Sequence, residues 1–188
     1  MKDSNFSRAA GCSWKTGGMN KGQAIVGSSL FLALAPGSVV GLLPYLFGLW
    51  HMRPALFGLG ATRAIGALLI LLGAPLLLES FARFALVGHG TPAPISPPEI
   101  LVVSGLYRFV RNPMYVAIIT VLLGEFLFTA NPRLLTYGLT VFIFFHLFVI
   151  FYEEPTLARK FGGSYQDFKR NVPRWLPRLT PWRGGQAW

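Results

Sequence analysis

The chain has 188 residues, 53% of them hydrophobic and only 13% charged, with a mean hydropathy of +0.50, a composition that excludes an ordinary soluble domain and a disordered chain and is that of a membrane protein. Seventeen Lys and Arg against seven Asp and Glu give a formal charge of +10, but so little total charge argues against a nucleic-acid binder, and the basic excess suits anionic lipid headgroups. A single cysteine, Cys12, excludes an internal disulfide and a multi-cysteine zinc centre.

In chain order, residues 1–23 are polar and rich in Gly, Ser and Lys, a flexible tail without the apolar core of a signal peptide, with Met19 as a candidate true start. Residues 24–87 hold two spans. From Ala24 to Trp50 no residue is charged, and at ~1.5 Å per residue this stretch crosses a ~30 Å hydrocarbon layer once, with tilt. Pro36-Gly37 and Pro44 interrupt it. After a short loop over 51–63, the second span starts at Ala64 and runs past Leu78 toward Glu79 and Arg83, which stand four apart and pair on one helix face. Residues 88–104 are a proline-rich loop that cannot be helix interior. Pro113 to Ala130 forms a third span, Asn131-Pro132-Arg133 a tight turn, and Leu134 to Tyr152 a fourth, giving a helical hairpin. Beyond Glu153-Glu154-Pro155, the residues Leu157, Phe161, Tyr165, Phe168 and Val172 fall on one stripe of an amphipathic helix at the membrane surface. "VPRWLPRLTPW" ends the ordered chain, with 179–188 as a tail. The expected fold is all-α, a polytopic membrane protein of about four transmembrane helices plus an amphipathic interfacial helix. With both termini in the cytoplasm, only Arg53, Arg63 and Arg133 of the seventeen basic residues lie on the far side, the asymmetry expected of an integral protein of a prokaryotic plasma membrane.

Polar residues cluster at the span ends that this orientation places in the cytoplasm. In "GLYRFVRNPMY", residues 105–115, Asn112 and Pro113 fit an N-cap and a first helical position. With Arg108 and Arg111 beside it, such a helix start favours an anion. Alternatively, the arginines satisfy the positive-inside rule and Tyr107 and Tyr115 belong to the aromatic belt. Glu153 and Glu154 end an apolar helix, where carboxylates need water, a cation or a donor-rich ligand. Helical neighbours point about 100° apart, so at most one faces a given ligand; the plain alternative is a cap for the next helix. Inside the spans, Glu125 and His146 can face each other across the hairpin, or each can be a satisfied structural group. One His and one Glu make no metal site, and no metal is expected. No P-loop, dinucleotide fingerprint or nucleophile elbow occurs.

Taken in order, "GLYRFVRNPMY", the hairpin, "EEPTLARKFGGSYQDF" and "VPRWLPR" resemble the integral-membrane isoprenylcysteine carboxyl methyltransferase and phospholipid methyltransferase family, whose pattern is GxYxxxRHPxY, a hairpin, EExxLxxxFGxxYxxY and a VPRxxP-like tail. The resemblance covers about residues 100–178, with 105–178 as the methyltransferase core. It implies an S-adenosylmethionine pocket at the cytoplasmic face that opens sideways to a lipophilic or small acceptor among the membrane lipids. Tyr107, Arg108, Asn112, Pro113, Tyr115, Glu153 and Glu154 are then the cofactor-binding residues, with Arg111, Asn112 and Glu154 in catalytic roles. Two positions depart from the pattern: Asn112 replaces the usual His, and Phe168 a common Tyr. Asn cannot titrate, so position 112 supplies no general base; transfer to an ionised carboxylate or thiolate needs none, whereas an amine acceptor must lose a proton. Membrane sterol or enone reductases resemble the same C-terminal region but use a nicotinamide dinucleotide, and a non-enzymatic lipid-binding protein is a third expectation. The paired glutamates and the short chain favour the methyl donor.

Overall fold

The computed structural model describes residues 21–87 and 101–184. The expectations for the tail up to residue 20, with Cys12 and Met19, for 88–100 of the proline-rich loop and for 185–188 fall outside the described residues. Within them the chain is helical, with no strand.

Helix α1 (Lys21–Leu34) meets Pro36, which has no N–H to offer the carbonyl one turn back. The helix does not stop there. It widens into a π-helical turn at Ser38–Leu42 and continues as α2 (Leu43–Leu46), while the Ser38 hydroxyl donates to the carbonyls of Leu34 and, at 3.1 Å, Ala35. A 3-10 turn at Leu56–Gly58 leads into α3 (Ala61–Val87), which carries Pro75 in its interior. Helix α3 lies against α4 (Pro113–Thr129) almost backbone to backbone: a Cβ on Gly66 would stand 2.6 Å from the Gly124 carbonyl oxygen, and one on Gly73 2.8 Å from Val121. Small residues permit this approach, and between helices in lipid close packing replaces the hydrophobic drive.

The hairpin turn is built as its residues dictate. Ala130 takes a left-handed conformation (φ 57°) and its N–H bonds the Phe126 carbonyl. Asn131 caps α5 (Pro132–Phe148), accepting from the Arg133 N–H at 3.1 Å, and donates from Nδ2 to the Leu49 carbonyl at 2.8 Å. This ties the hairpin to the end of the first span. At the far end of α5 the helix passes through a second π turn, Val149–Glu153, into α6 (Glu154–Asn171). One residue more than an α-turn rotates everything beyond it by about 100°. Gly162 (φ 52°, ψ −124°) bends α6, and Tyr165, Phe168 and Val172 of the predicted stripe are buried against Leu101, Val103 and Trp182.

Ser29–Leu46, Ala61–Arg83 and Pro132–Asn171 are long and apolar enough to cross a membrane, and α4 is a shorter apolar helix of seventeen residues, about 25 Å long. Leu77, Phe81, Ala117, Ile118, Leu122 and Phe145 form the core between them. Leu68, Leu71 and Leu72 of α3 and Ile143, Phe144 and Leu147 of α5 point outward, an apolar exterior that suits hydrocarbon. The chain is an integral membrane protein.

Candidate active site

The start of α4, the end of α5 with its π turn, and the chain after α6 meet at one end of the bundle. Residues 172–184 do not trail away. They run antiparallel to residues 108–112: the Arg111 N–H bonds the Pro173 carbonyl, and the Phe109 and Arg108 carbonyls accept from the N–H groups of Arg178 and Trp182, each at 2.9 Å. The motif at 105–115 and the "VPRWLPR" motif thus form one pair of laced strands of chain.

Asn112 stands before Pro113 as predicted, but its side chain makes no cap bond. Its Nδ2 donates to the Arg174 carbonyl at 3.2 Å, while its Oδ1 accepts from none of the free amides of α4. The side chain serves the tail and not the helix end.

The two glutamates separate. Glu154 is buried and shared by three cations: Arg111 Nη1 at 2.9 Å, Arg174 Nε at 2.6 Å with Nη2 at 3.1 Å, and Lys169 Nζ at 3.0 Å. The hydrogen bonds from Arg174 are the fork-on-carboxylate arrangement that a guanidinium favours, and they hold the Arg174 pKa above its ordinary value, assisted by the Glu154 charge. Glu153, one residue earlier in the π turn, faces the other way, and its Oε2 accepts from the Tyr115 hydroxyl at 3.0 Å. Tyr107 is nearby and 5% exposed; burial first, then the Glu153 and Glu79 carboxylates, push its phenol pKa well above the usual value.

Aromatic rings wall this locus. Tyr115 packs on Phe145 with centroids 4.6 Å apart and approaches Trp175 at 6.5 Å. Trp175 in turn donates from Nε1 to His146 Nδ1 at 3.1 Å and meets Phe142 edge-on. Of the two readings for Glu125 and His146, the structure shows satisfied groups and no mutual contact: each has a tryptophan partner, Glu125 Oε2 accepting from Trp50 Nε1 at 3.2 Å, at the opposite end of the bundle. A carboxylate beside aromatic faces is a setting for a cationic group. On its other side the Tyr115 ring lines an apolar cavity of about 150 Å³, with Phe31, Phe81, Met114, Ile118 and Phe148 among its walls. Arg108 lies apart from the Glu154 cluster. Its Nε donates to the Trp182 carbonyl at 2.7 Å and it borders a separate cleft.

The structure therefore brings Arg111, Asn112, Pro113, Tyr115, Tyr107, Glu153 and Glu154 together and sets Arg108 to one side. Sequence reasoning assigned no role to Arg174, Lys169 or Trp175. The signal for Arg174 and Trp175 was present in the "VPRWLPR" motif that carries part of the family resemblance; Lys169 is one of several lysines and arginines on a polar face and carries no distinguishing mark.

The phospholipid methyltransferase family profile matches residues 61–164. Protein-S-isoprenylcysteine O-methyltransferase of Rattus norvegicus is 33% identical over 116 residues, which are 61% of this chain and 40% of that protein. Methanethiol S-methyltransferase 2 of Bradyrhizobium diazoefficiens is 34% identical over 74 residues, 39% of this chain and 27% of that one. The chain spans less than half the length of these curated relatives. Among solved structures, the eukaryotic intramembrane Ras methyltransferase, isoprenylcysteine carboxyl methyltransferase, superposes with a TM-score of 0.52 at 21% identity, covering 82% of this chain and 54% of that one, a likeness of fold. The matched stretch runs from the start of α3 into α6, through the hairpin and both glutamates, and more than half of the chain lies within it: the chain belongs to the phospholipid methyltransferase family.

Proposed function

We propose that the protein is a methyltransferase that uses S-adenosylmethionine at the cytoplasmic end of the bundle and passes the methyl group to a lipophilic or small acceptor carrying a thiol or carboxylate. One observation carries the reading: Tyr115 joins a polar locus to an apolar one, its hydroxyl on Glu153 and its ring in the wall of the apolar cavity. Bound S-adenosylmethionine supplies an electrophilic methyl group on a cationic sulfonium. Tyr107, Asn112, Pro113, Tyr115 and Glu153 are the residues that would hold it, the carboxylate and aromatic faces favouring positive charge. Arg111 and Arg174, fixed by Glu154, line up excess positive charge for a carboxylate, and Glu154 acts by holding them in place. The apolar cavity orients an acceptor's hydrocarbon portion toward Tyr115 and keeps water from the reacting groups, so that alignment provides much of the rate. Asn112 orders the tail through Arg174 and moves no proton, which favours an acceptor that is already ionised. The names of the relatives, an S-methyltransferase for methanethiol and an O-methyltransferase for isoprenylcysteine, fit a thiol or carboxylate acceptor.

Calorimetric titration of detergent-purified protein with S-adenosylhomocysteine, with NADPH in parallel, tests the reading. Saturable binding of the former, lost in Glu153→Gln, is expected. Binding of NADPH alone would transfer the site to a reductase, and binding of neither by folded protein would leave a lipid-binding protein without turnover.

A further inference from the structure

Beyond that reading, a second and larger cleft of about 680 Å³ opens on the far side of the 3-10 turn Gly105–Arg108, between the end of α3 and the tail. Its volume is that of a small-molecule site. Arg83, Arg108 and Arg183 line it with a single acidic residue, Glu79, so it carries a net positive charge. Leu76, Leu106, Phe109 and Trp182 supply apolar wall. Glu79 Oε1 is engaged by Arg83 Nε at 2.8 Å, and the pair lies directly under Gly105 (φ 56°), where a Cβ would overlap Glu79 Oε1. Three guanidinium groups against one carboxylate, beside an apolar wall, suit a ligand that is negatively charged overall and carries apolar groups.

We propose that this cleft binds the phosphodiester of a net-anionic lipid headgroup. Guanidinium groups take the phosphate oxygens in their planar fork. The surplus of two positive charges favours a net-anionic headgroup over a zwitterionic one. The cleft lies at the end of the Ala61–Arg83 span, where a lipid can enter with its chains along α3. A soluble glycerol phosphate offers the same chemistry.

The test is native mass spectrometry of the full chain released from detergent, with phosphatidylglycerol, phosphatidylmethanol and phosphatidylcholine of identical acyl chains added in turn. The wild type should retain phosphatidylglycerol at least about fivefold over phosphatidylcholine, as expected for charge-assisted hydrogen bonds. Arg83→Gln with Arg183→Gln should remove that preference; Arg183 is exposed, and Arg183→Gln alone should weaken it in protein of unaltered fold. Phosphatidylmethanol has the charge without the hydroxyls, and the wild type should retain it as strongly as phosphatidylglycerol. Equal retention of phosphatidylglycerol and phosphatidylcholine by the wild type, or a preference unchanged in the arginine variants, overturns the proposal. Displacement of the lipid by glycerol 1-phosphate would uphold the phosphate recognition and assign its source to the soluble compound. None of these readouts depends on methyl-donor binding.

Discussion

Replacing Glu154 by Gln separates a carboxylate that holds the site from one that touches a ligand. Glu154 is 8% exposed at its side chain and Arg111 9%, whereas Arg174 is 25% and Lys169 43% exposed. Gln keeps the shape and one acceptor but removes the charge, leaving the Arg111 guanidinium buried without a counter-ion. Breaking a buried pair from one side costs about 3–5 kcal/mol, while the half-exposed Lys169 contact is worth at most about 1 kcal/mol. The remaining amide acceptor places Glu154→Gln at the low end, roughly 3 kcal/mol. For a chain of this size that corresponds to a fall in Tm of roughly 6–12 °C. Heating detergent-solubilised protein in steps and measuring the fraction that stays monodisperse on size-exclusion gives the midpoint. Lys169→Gln should shift it by no more than about 4 °C, and Glu153→Gln, which keeps an acceptor for the Tyr115 hydroxyl and removes only the charge, by a similarly small amount while abolishing S-adenosylhomocysteine binding. A Glu154→Gln protein with the wild-type midpoint and no ligand binding would refute the reasoning and place Glu154 against the ligand.

Tyr115→Phe retains the packing on Phe145 and loses only the hydroxyl donated to Glu153, so folded yield should hold while S-adenosylhomocysteine affinity falls about tenfold to a hundredfold, in line with a charge-assisted hydrogen bond; isothermal titration reads it. Gly66→Val drives side-chain carbons into the Gly124 carbonyl and the Phe128 amide, each 2.6 Å from the first added carbon, and should cost at least about 1–3 kcal/mol through forced separation of α3 from α4, seen as loss of monodisperse protein. Asn131→Ala removes the α5 cap and the bond to Leu49, and a drop of about 1–2 kcal/mol in thermal stability is expected.

The helices were legible because apolar runs and period-3.6 stripes announce themselves locally. Tyr165, Phe168 and Val172 could be read as one apolar stripe, though against the membrane surface and not against Leu101, Val103 and Trp182, and Asn131-Pro132-Arg133 as a turn. What sets the site was not local. Whether Glu153 or Glu154 points toward Tyr115 depends on one extra residue of helical turn at Val149–Glu153, and a π turn has no composition of its own. The tail beyond Val172 has no periodicity, so its prolines and arginines read as an ending although its main chain is bonded to residues 108–111. Glu125 and His146 are satisfied by tryptophans 75 and 29 residues away in the chain, partners that the hairpin alone does not name. The family resemblance named the motifs that meet without saying which atoms do.

The lacing of the tail onto residues 108–111 has a further consequence in the placing of its prolines. Pro173, Pro177 and Pro181 recur every four residues, and the two tail amides that donate across the lacing belong to Arg178 and Trp182, each the residue just after a proline. No donor position is itself proline, so no bond is lost. Each ring fixes its own φ and holds the preceding residue in an extended conformation. The unfolded tail is thereby already narrowed toward the course it takes over the site, and less chain entropy is surrendered when it closes. The same restriction makes Pro177→Gly or Pro181→Gly, which touch neither glutamate, changes that loosen the site through the freedom they return to the chain.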